Sequence, residues 1–400
     1  MKIRAICLGP IPPIQAGGHI SRGQIFAGMA AAGHEICAVA PISEDALKSG
    51  DWFAAQNPEL RVIRYWLPDL SVEVRQPTVP DVDALESDRV EHLVMELTHS
   101  FRPNILISGR ESFARITHKL ATKLALPWCL LLRGRATGDV VEGRTLETSA
   151  VAFLDHVKSA DLVISVAEHL ANGLRRNRGI EGIVTIPNAV DLDAFRPDPT
   201  TAAVRTEFGI PDGHAVVMLV GSLVPHKRPA DFLRAAELVA KSNQAVTFLI
   251  AGDGILEDEL AAACRAGGLA DTVRLLGEIP NARMPALYNA ADVVVLTSDS
   301  EGISRVCLEA MACGRPLLAS DIPGNREVIE DGRNGFVFPL GDHQALARRL
   351  HELLGDDTVP ARIAQSARAS VSHRRLEQSI EMYVHEISTL LATAHGTSTE

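Results

Sequence analysis

The sequence predicts an α/β protein made of two doubly wound, parallel-sheet domains, and three observations carry that expectation. The chain has 400 residues, more than one ordinary domain uses and enough for two of similar size. Short runs rich in Val, Ile and Leu alternate with segments of helical period throughout, and continuous apolar strands separated by helices belong to parallel sheets covered on both faces. A Pro-containing polar stretch near the middle divides the runs into two sets and has the composition of a linker.

Taken in order, the first set is Ile3–Leu8, Ile36–Ala40, Val62–Trp66, Ile105–Ser108, Cys129–Leu132, Leu162–Val166 and Ile183–Ile186. The boundary follows at Pro187-Asn188-Ala189-Val190-Asp191, with Pro197, Pro199 and Pro211 beyond it. The second set is Val216–Val220, Val246–Ala251, Val273–Leu276, Val293–Thr297, Pro316–Ser320 and Phe336–Phe338. Residues 374–394 read as one long amphipathic helix. The expected domains are therefore residues 1–190 and 191–373, with the tail helix returning to the first.

Composition narrows the function. The net charge of −11 argues against a general nucleic-acid binder, which needs surplus Lys and Arg to neutralise phosphates. Residues 1–190 hold 20 basic and 21 acidic groups, whereas residues 191–400 hold 19 and 29. The six cysteines have no CxxC spacing and several sit in apolar runs, as reduced core thiols of a cytoplasmic protein do. The first apolar run is too short for a signal peptide, and none approaches the ~20 residues that span a bilayer. A peripheral membrane contact stays open.

Ligands of open parallel sheets bind where strands end and loops lead into helices, and two such domains favour a cleft between them. Asp299-Ser300-Glu301-Gly302-Ile303-Ser304-Arg305-Val306-Cys307-Leu308-Glu309 follows one strand and opens a helix. First-turn amides make an anion site that fits a diphosphate. A carboxylate in the loop can grip sugar hydroxyls, and one inside the helix can accept from a ribose diol; the plainer reading is a capped helix with two solvated acids. Gly221-Ser222-Leu223-Val224-Pro225-His226-Lys227-Arg228 follows another strand, and its glycine admits close backbone approach while its lysine can neutralise a phosphate, unless it is merely exposed. Gly17-Gly18 before His19 can close amides over a phosphate or make only a tight turn.

The Asp299–Met311 segment resembles the two-glutamate motif of the family-four retaining glycosyltransferases, the group 1 type, which have the two-domain, Rossmann-like GT-B fold. The resemblance runs over most of the chain and is densest between Val216 and Asp342. It implies that Glu301 contacts the transferred sugar, that Glu309 holds the ribose, and that the amides of Gly302, Ile303, Ser304, Arg305 and Val306 face sugar and diphosphate. It implies a phosphate role for Lys227, a shielding role for Gly17 and Gly18, an acceptor-side place for His19, and a backbone contact to the base near Ile279. Activity would be retaining, metal-independent and front-side, from a nucleotide-sugar co-substrate, expected to be UDP-linked, with no further cofactor. The acceptor class stays open among carbohydrates, lipid-linked molecules and small metabolites.

Two positions depart from the family. Ser222 stands where an arginine is usual, leaving Arg228 or Arg305 to replace it. Arg133 stands where many members have an acceptor-facing histidine. Arginine cannot serve as a base, but it can bind an anion or stabilise the departing phosphate. Arg110, Arg133 and Arg135 all sit at strand ends, which an acidic or phosphorylated acceptor would explain. Glu111, Arg115, Lys119 and Lys123 are spaced four apart and read as one solvated helix face. The departures also keep open a degenerate partner subunit that binds nucleotide-sugar without transfer. Two weaker patterns, a dinucleotide fingerprint at Gly252-Asp253-Gly254 with Glu278 and a metal pair at Asp191-Leu192-Asp193, suit the surrounding sequence poorly.

Overall fold

A computed structural model describes residues 1–12, 17–42, 51–66, 84–143, 148–242, 245–355 and 358–396. Part of the glycine loop, Pro13 to Ala16, lies outside the described residues. The chain forms two compact units, Met1–Asn188 with Leu376–Glu400, and Ala189–Arg375.

In the first unit the strands are β1 (Arg4–Leu8), β2 (Glu35–Ile42), β3 (Arg61–Trp66), β4 (Ile105–Ser108), β5 (Trp128–Leu132), β6 (Leu162–Ser165) and β7 (Ile183–Thr185). They pair in the order β3-β2-β1-β4-β5-β6-β7, every pair parallel. The runs of the sequence become strands because neither face is wetted: every residue of β4, β5 and β6 is buried. The Leu376–Gly396 helix belongs to this unit, and its Tyr383, Ile387 and Leu391 join Phe26, Met29 and Ile164 in one core cluster.

The second unit holds β8 (Ala215–Val220), β9 (Val246–Ala251), β10 (Val273–Gly277), β11 (Val293–Leu296), β12 (Leu317–Ser320) and β13 (Phe336–Phe338). Their order is β10-β9-β8-β11-β12-β13, again parallel throughout. Both sheets run outward from their first strand in one direction and then reverse. The reversal falls between β1 and β4 in one sheet and between β8 and β11 in the other, and it is where doubly wound sheets present ligand-binding loops.

All six cysteines are buried and unpaired with one another. Among the described residues no helix is long and apolar enough to cross a membrane.

Candidate functional site

In the second unit β8 and β11 are hydrogen-bonded neighbours, with Val217 beside Val293, so the loops leaving them lie side by side. The β8 loop turns through Gly221 at φ 145°, makes a single 3-10 turn over Pro225–Lys227, and enters the Pro229–Ala240 helix through Arg228 in the left-handed region at φ 48°. Two bonds stitch it to the β11 loop: Thr297 Oγ1 donates to the Lys227 carbonyl at 2.6 Å, and the Asp299 amide donates to the His226 carbonyl at 2.9 Å. This stitching brings Lys227 Nζ onto Glu301 Oε1 as an ion pair. The two side chains are 25% and 13% exposed, so both remain open to a ligand while largely shielded.

Three residues beyond Glu301, Ser304 caps the Arg305–Ala312 helix with extended backbone and no side-chain capping bond to a first-turn amide. Its first-turn amides therefore point out of the helix. Gly302, Ile303 and Ser304 are buried, and Val306 is half-buried.

Glu309 lies one turn further on and is 6% exposed. Its Oε2 accepts from the Tyr288 hydroxyl at 3.0 Å. Its Oε1 accepts from Arg305 Nε at 2.9 Å and also from Arg305 Nη2. Burial above all, and then the adjacent Glu309 carboxylate, pushes the Tyr288 phenol well above its ordinary range, so it keeps its proton and donates. Arg305 reaches on to Asn281 Oδ1 at 3.3 Å, while its Nη1 is buried without a partner among the described residues.

The two arginines expected to replace the one missing at Ser222 are thus both anchored on acids. Arg305 holds Glu309, and Arg228 Nε donates to buried Asp231 at 2.6 Å. Ser222 is half-buried in the β8 loop. Ile279 is half-buried just past β10, two residues beyond Gly277.

The dinucleotide-like glycines serve packing. A β-carbon on Gly252 would stand 2.0 Å from the Gly221 carbonyl oxygen, and one on Gly254 would stand 2.5 Å from that of Leu223. They let the β8 and β9 loops touch, as the bond from the Leu223 amide to the Asp253 carbonyl at 2.6 Å shows. Asp191 Oδ1 caps the amides of Asp193 and Ala194 at 3.0 and 2.9 Å, and the Asp193 carboxylate lies 3.7 Å from Arg375.

In the first unit Gly17 and Gly18 are the first two residues of the Gly17–Ala31 helix, where the sequence reading has them in a turn before it. His19 is buried in that first turn. Arg110 is half-buried just past β4 and leads into the Glu111–Phe113 turn. Arg133 directly follows β5. Arg135 begins the Arg135–Val141 helix, and its side chain lies outside the described residues. Arg133 Nη1 donates to Ser21 Oγ at 2.9 Å and to Asn188 Oδ1 at 3.3 Å.

Glu111 departs from the sequence reading. It is 7% exposed, because it sits in a short turn before the Ala114–Leu124 helix and not on that helix's wet face. Its Oε1 accepts from the Arg133 amide at 2.9 Å and from Thr137 Oγ1 at 2.8 Å. Arg115, Lys119 and Lys123 are exposed as a solvated face requires, the two lysines pairing with Glu91. Sequence reasoning missed Tyr288, Asn281, Arg22, Ser21 and Asn188. Only their three-dimensional partners single them out.

Two parallel reversing sheets, with an acid–lysine pair and a buried acid around one helix start, define a doubly wound two-domain architecture with its polar cluster where such sheets present ligand-binding loops. The family model described as "Glycosyl transferases group 1" matches residues 201–370, and that described as "Glycosyl transferase 4-like domain" matches residues 17–189. The chain belongs to the group 1 glycosyltransferases, with a 4-like first domain and the GT-B fold. It is 34% identical over 228 residues to D-inositol 3-phosphate glycosyltransferase 2 of Catenulispora acidiphila, covering 54% of this chain and 52% of that protein. The chain thus spans about half the length of the curated relatives it matches. Its fold is similar to that of Anabaena HepE in complex with UDP-glucose, with TM-score 0.80 and 20% identity over 96% of this chain and 99% of the other. Sucrose-phosphate synthase of Thermosynechococcus elongatus is similar in fold at TM-score 0.79 and 17% identity, covering 98% of this chain and 100% of its own.

Proposed function

We propose that this protein moves a sugar from a UDP-sugar to an acceptor hydroxyl with retention of anomeric configuration, without a metal ion. The observation that carries the reading is the Lys227–Glu301 pair beside the start of the Arg305–Ala312 helix, with Glu309 buried one turn on. A diphosphate at the helix start meets amides and the Lys227 cation. Glu301 then grips sugar hydroxyls, and Glu309, held still by Arg305 and Tyr288, accepts from the ribose. The UDP and UDP-glucose complexes of a protein of the same fold agree with such a donor.

In the reaction the bond from the anomeric carbon to the diphosphate oxygen breaks, and the acceptor oxygen bonds to that carbon on the same face. The acceptor proton passes to the departing diphosphate oxygen. The protein's part is positioning and stabilisation of the charge on the leaving group, for which Lys227 supplies the cation.

Incubation with a panel of UDP-sugars and candidate acceptors, with the product anomer read by NMR, tests the reading. The product should keep the donor's configuration, and turnover should survive EDTA. An inverted anomer, or turnover abolished by chelation, overturns the mechanism. A protein that binds UDP-sugar yet neither transfers it nor releases free sugar to water is a binding subunit.

A further inference from the structure

The first unit carries an arginine pair that the donor reading does not use. Arg22 is 2% exposed. Its hydrogen bonds among the described residues run to carbonyls: Nε and Nη2 to Pro10 at 2.9 and 2.6 Å, and Nη1 to Gly109 at 3.3 Å. A buried guanidinium is ordinarily matched by a carboxylate. The acid nearby is Glu111, and its Oε1 is taken by the Arg133 amide, Thr137 and, at 3.5 Å, the Gly134 amide. Burial pushes the Arg22 guanidinium well below its usual range, and the Arg133 and Arg110 charges push the same way against Glu111. Positive charge from Arg133 and Arg110 thus bears on the buried Arg22 in this cluster.

Arg133 shows where an anion would complete it. Its Nη1 is pinned by Ser21 and Asn188. Its Nε and Nη2 are buried and find no partner among the described residues. Those two nitrogens form one edge of the planar guanidinium, the edge that takes two oxygens of a carboxylate or phosphate side by side. Buried donors left unpaired are costly, so an edge held in this state is arranged for a ligand. Nothing in the donor reading needs it.

We propose that the Nε–Nη2 edge of Arg133, braced by Ser21 and Asn188 and backed by the Arg22 charge, seats an oxyanion carried by the acceptor. The acceptor class is then an anionic molecule bearing a phosphate or carboxylate besides its reacting hydroxyl. This rests on the transferase reading above for the word acceptor; the anion seat itself does not.

The probe is inorganic phosphate, titrated by ³¹P NMR into the full chain saturated with UDP, so that the helix start of the second unit is occupied. Phosphate should bind, and Arg133→Gln should weaken it by about tenfold or more, the scale of a lost bidentate charged pair. Arg133→Lys keeps charge without the fork and should recover only part of that affinity, while Ser21→Ala should weaken phosphate severalfold. UDP affinity should stay within about twofold in all three, a change of only ~0.4 kcal/mol. Acetate that displaces phosphate at comparable concentration assigns a carboxylate acceptor, and failure to displace assigns a phosphate; either upholds the seat. Equal phosphate affinity in wild type and Arg133→Gln overturns it, as does UDP affinity that falls with Arg133→Gln, since the edge then serves the donor. If Arg133→Gln fails to fold, Arg133→Lys and Ser21→Ala decide. Should UDP not bind wild type, the donor reading falls, while phosphate affinity that depends on Arg133 still upholds the seat.

Discussion

Gly324 lies directly beneath the loop that carries Glu301: a β-carbon there would stand 2.1 Å from the Gly302 carbonyl oxygen and 2.5 Å from that of Glu301. Both atoms are backbone and cannot swing aside. Gly324→Ala must therefore push the loop outward and move Glu301 off Lys227. The expected cost is that of overpacking, about 1–3 kcal/mol, or several degrees in melting temperature. UDP-sugar affinity should fall with it. Gly355→Ala is the control, because its β-carbon meets nothing within 4 Å. A Gly324→Ala protein that melts and binds like wild type would remove the strut role.

Glu309 links donor binding to a buried polar network. Glu309→Gln leaves Arg305 without its carboxylate charge and turns one of the two acceptor oxygens assigned to the ribose into a donor. UDP affinity should drop by about 1–3 kcal/mol, the scale of lost charged hydrogen bonds. Tyr288→Phe removes only the phenol that steadies Glu309, so its effect should be smaller and in the same direction. Titration calorimetry with UDP measures both. Unchanged affinity in Glu309→Gln would end the ribose assignment.

How far the sequence could be read depended on the range of the interaction. The alternation of apolar runs marks every strand from β1 to β13, because burial on both faces imposes a local pattern. The placement of Glu301, Lys227 and Glu309 in loops or first turns after strands was legible too, because the ends of the apolar runs mark where those loops begin. Arg22 was not, because one arginine in a helix reads as a solvated residue until the Pro10 and Gly109 carbonyls appear around it. Ser21 meets Asn188 across 167 residues, a contact no periodicity announces. Glu111 misled because its four-residue spacing to Arg115 continues the helical period past the helix's start at Ala114.

The buried thiols give the stability a pH dependence of definite sign. Burial pushes Cys37 up to about 11 and, with Glu309 adding, Cys313 up to about 12. Unfolded thiols ionise near ~8.5. Above that pH the unfolded chain holds fewer protons than the folded one, so stability falls as pH rises. The contribution is complete below about 8.5 and is lost progressively as pH climbs through the folded values. Melting temperature should therefore decline between about pH 8.5 and 10.5, and more gently in Cys37→Ala when each protein is referred to its own value at pH 7. Parallel curves for the two proteins would exclude the thiol as a source of the slope.

Lys227 separates binding from turnover. In the free protein its ammonium is paired with Glu301, so a neutral or weakly charged ligand gains little from it. Its attraction grows as the sugar departs and charge gathers on the diphosphate, and an interaction stronger in the transition state raises rate more than affinity. Lys227→Ala should lower turnover by on the order of 10²-fold, while affinity for the uridine nucleoside, which lacks phosphate, changes little. Affinity for UDP should fall by an intermediate amount. The variant also leaves Glu301, 13% exposed, without its partner, so part of any loss could come from a displaced carboxylate. Glu301→Gln in the Lys227→Ala background resolves this: if repulsion from an unpaired Glu301 were responsible, the second change would restore turnover, whereas two lost contacts to donor would compound. Turnover within about twofold of wild type in Lys227→Ala, worth only ~0.4 kcal/mol, would mean that the lysine merely neutralises Glu301.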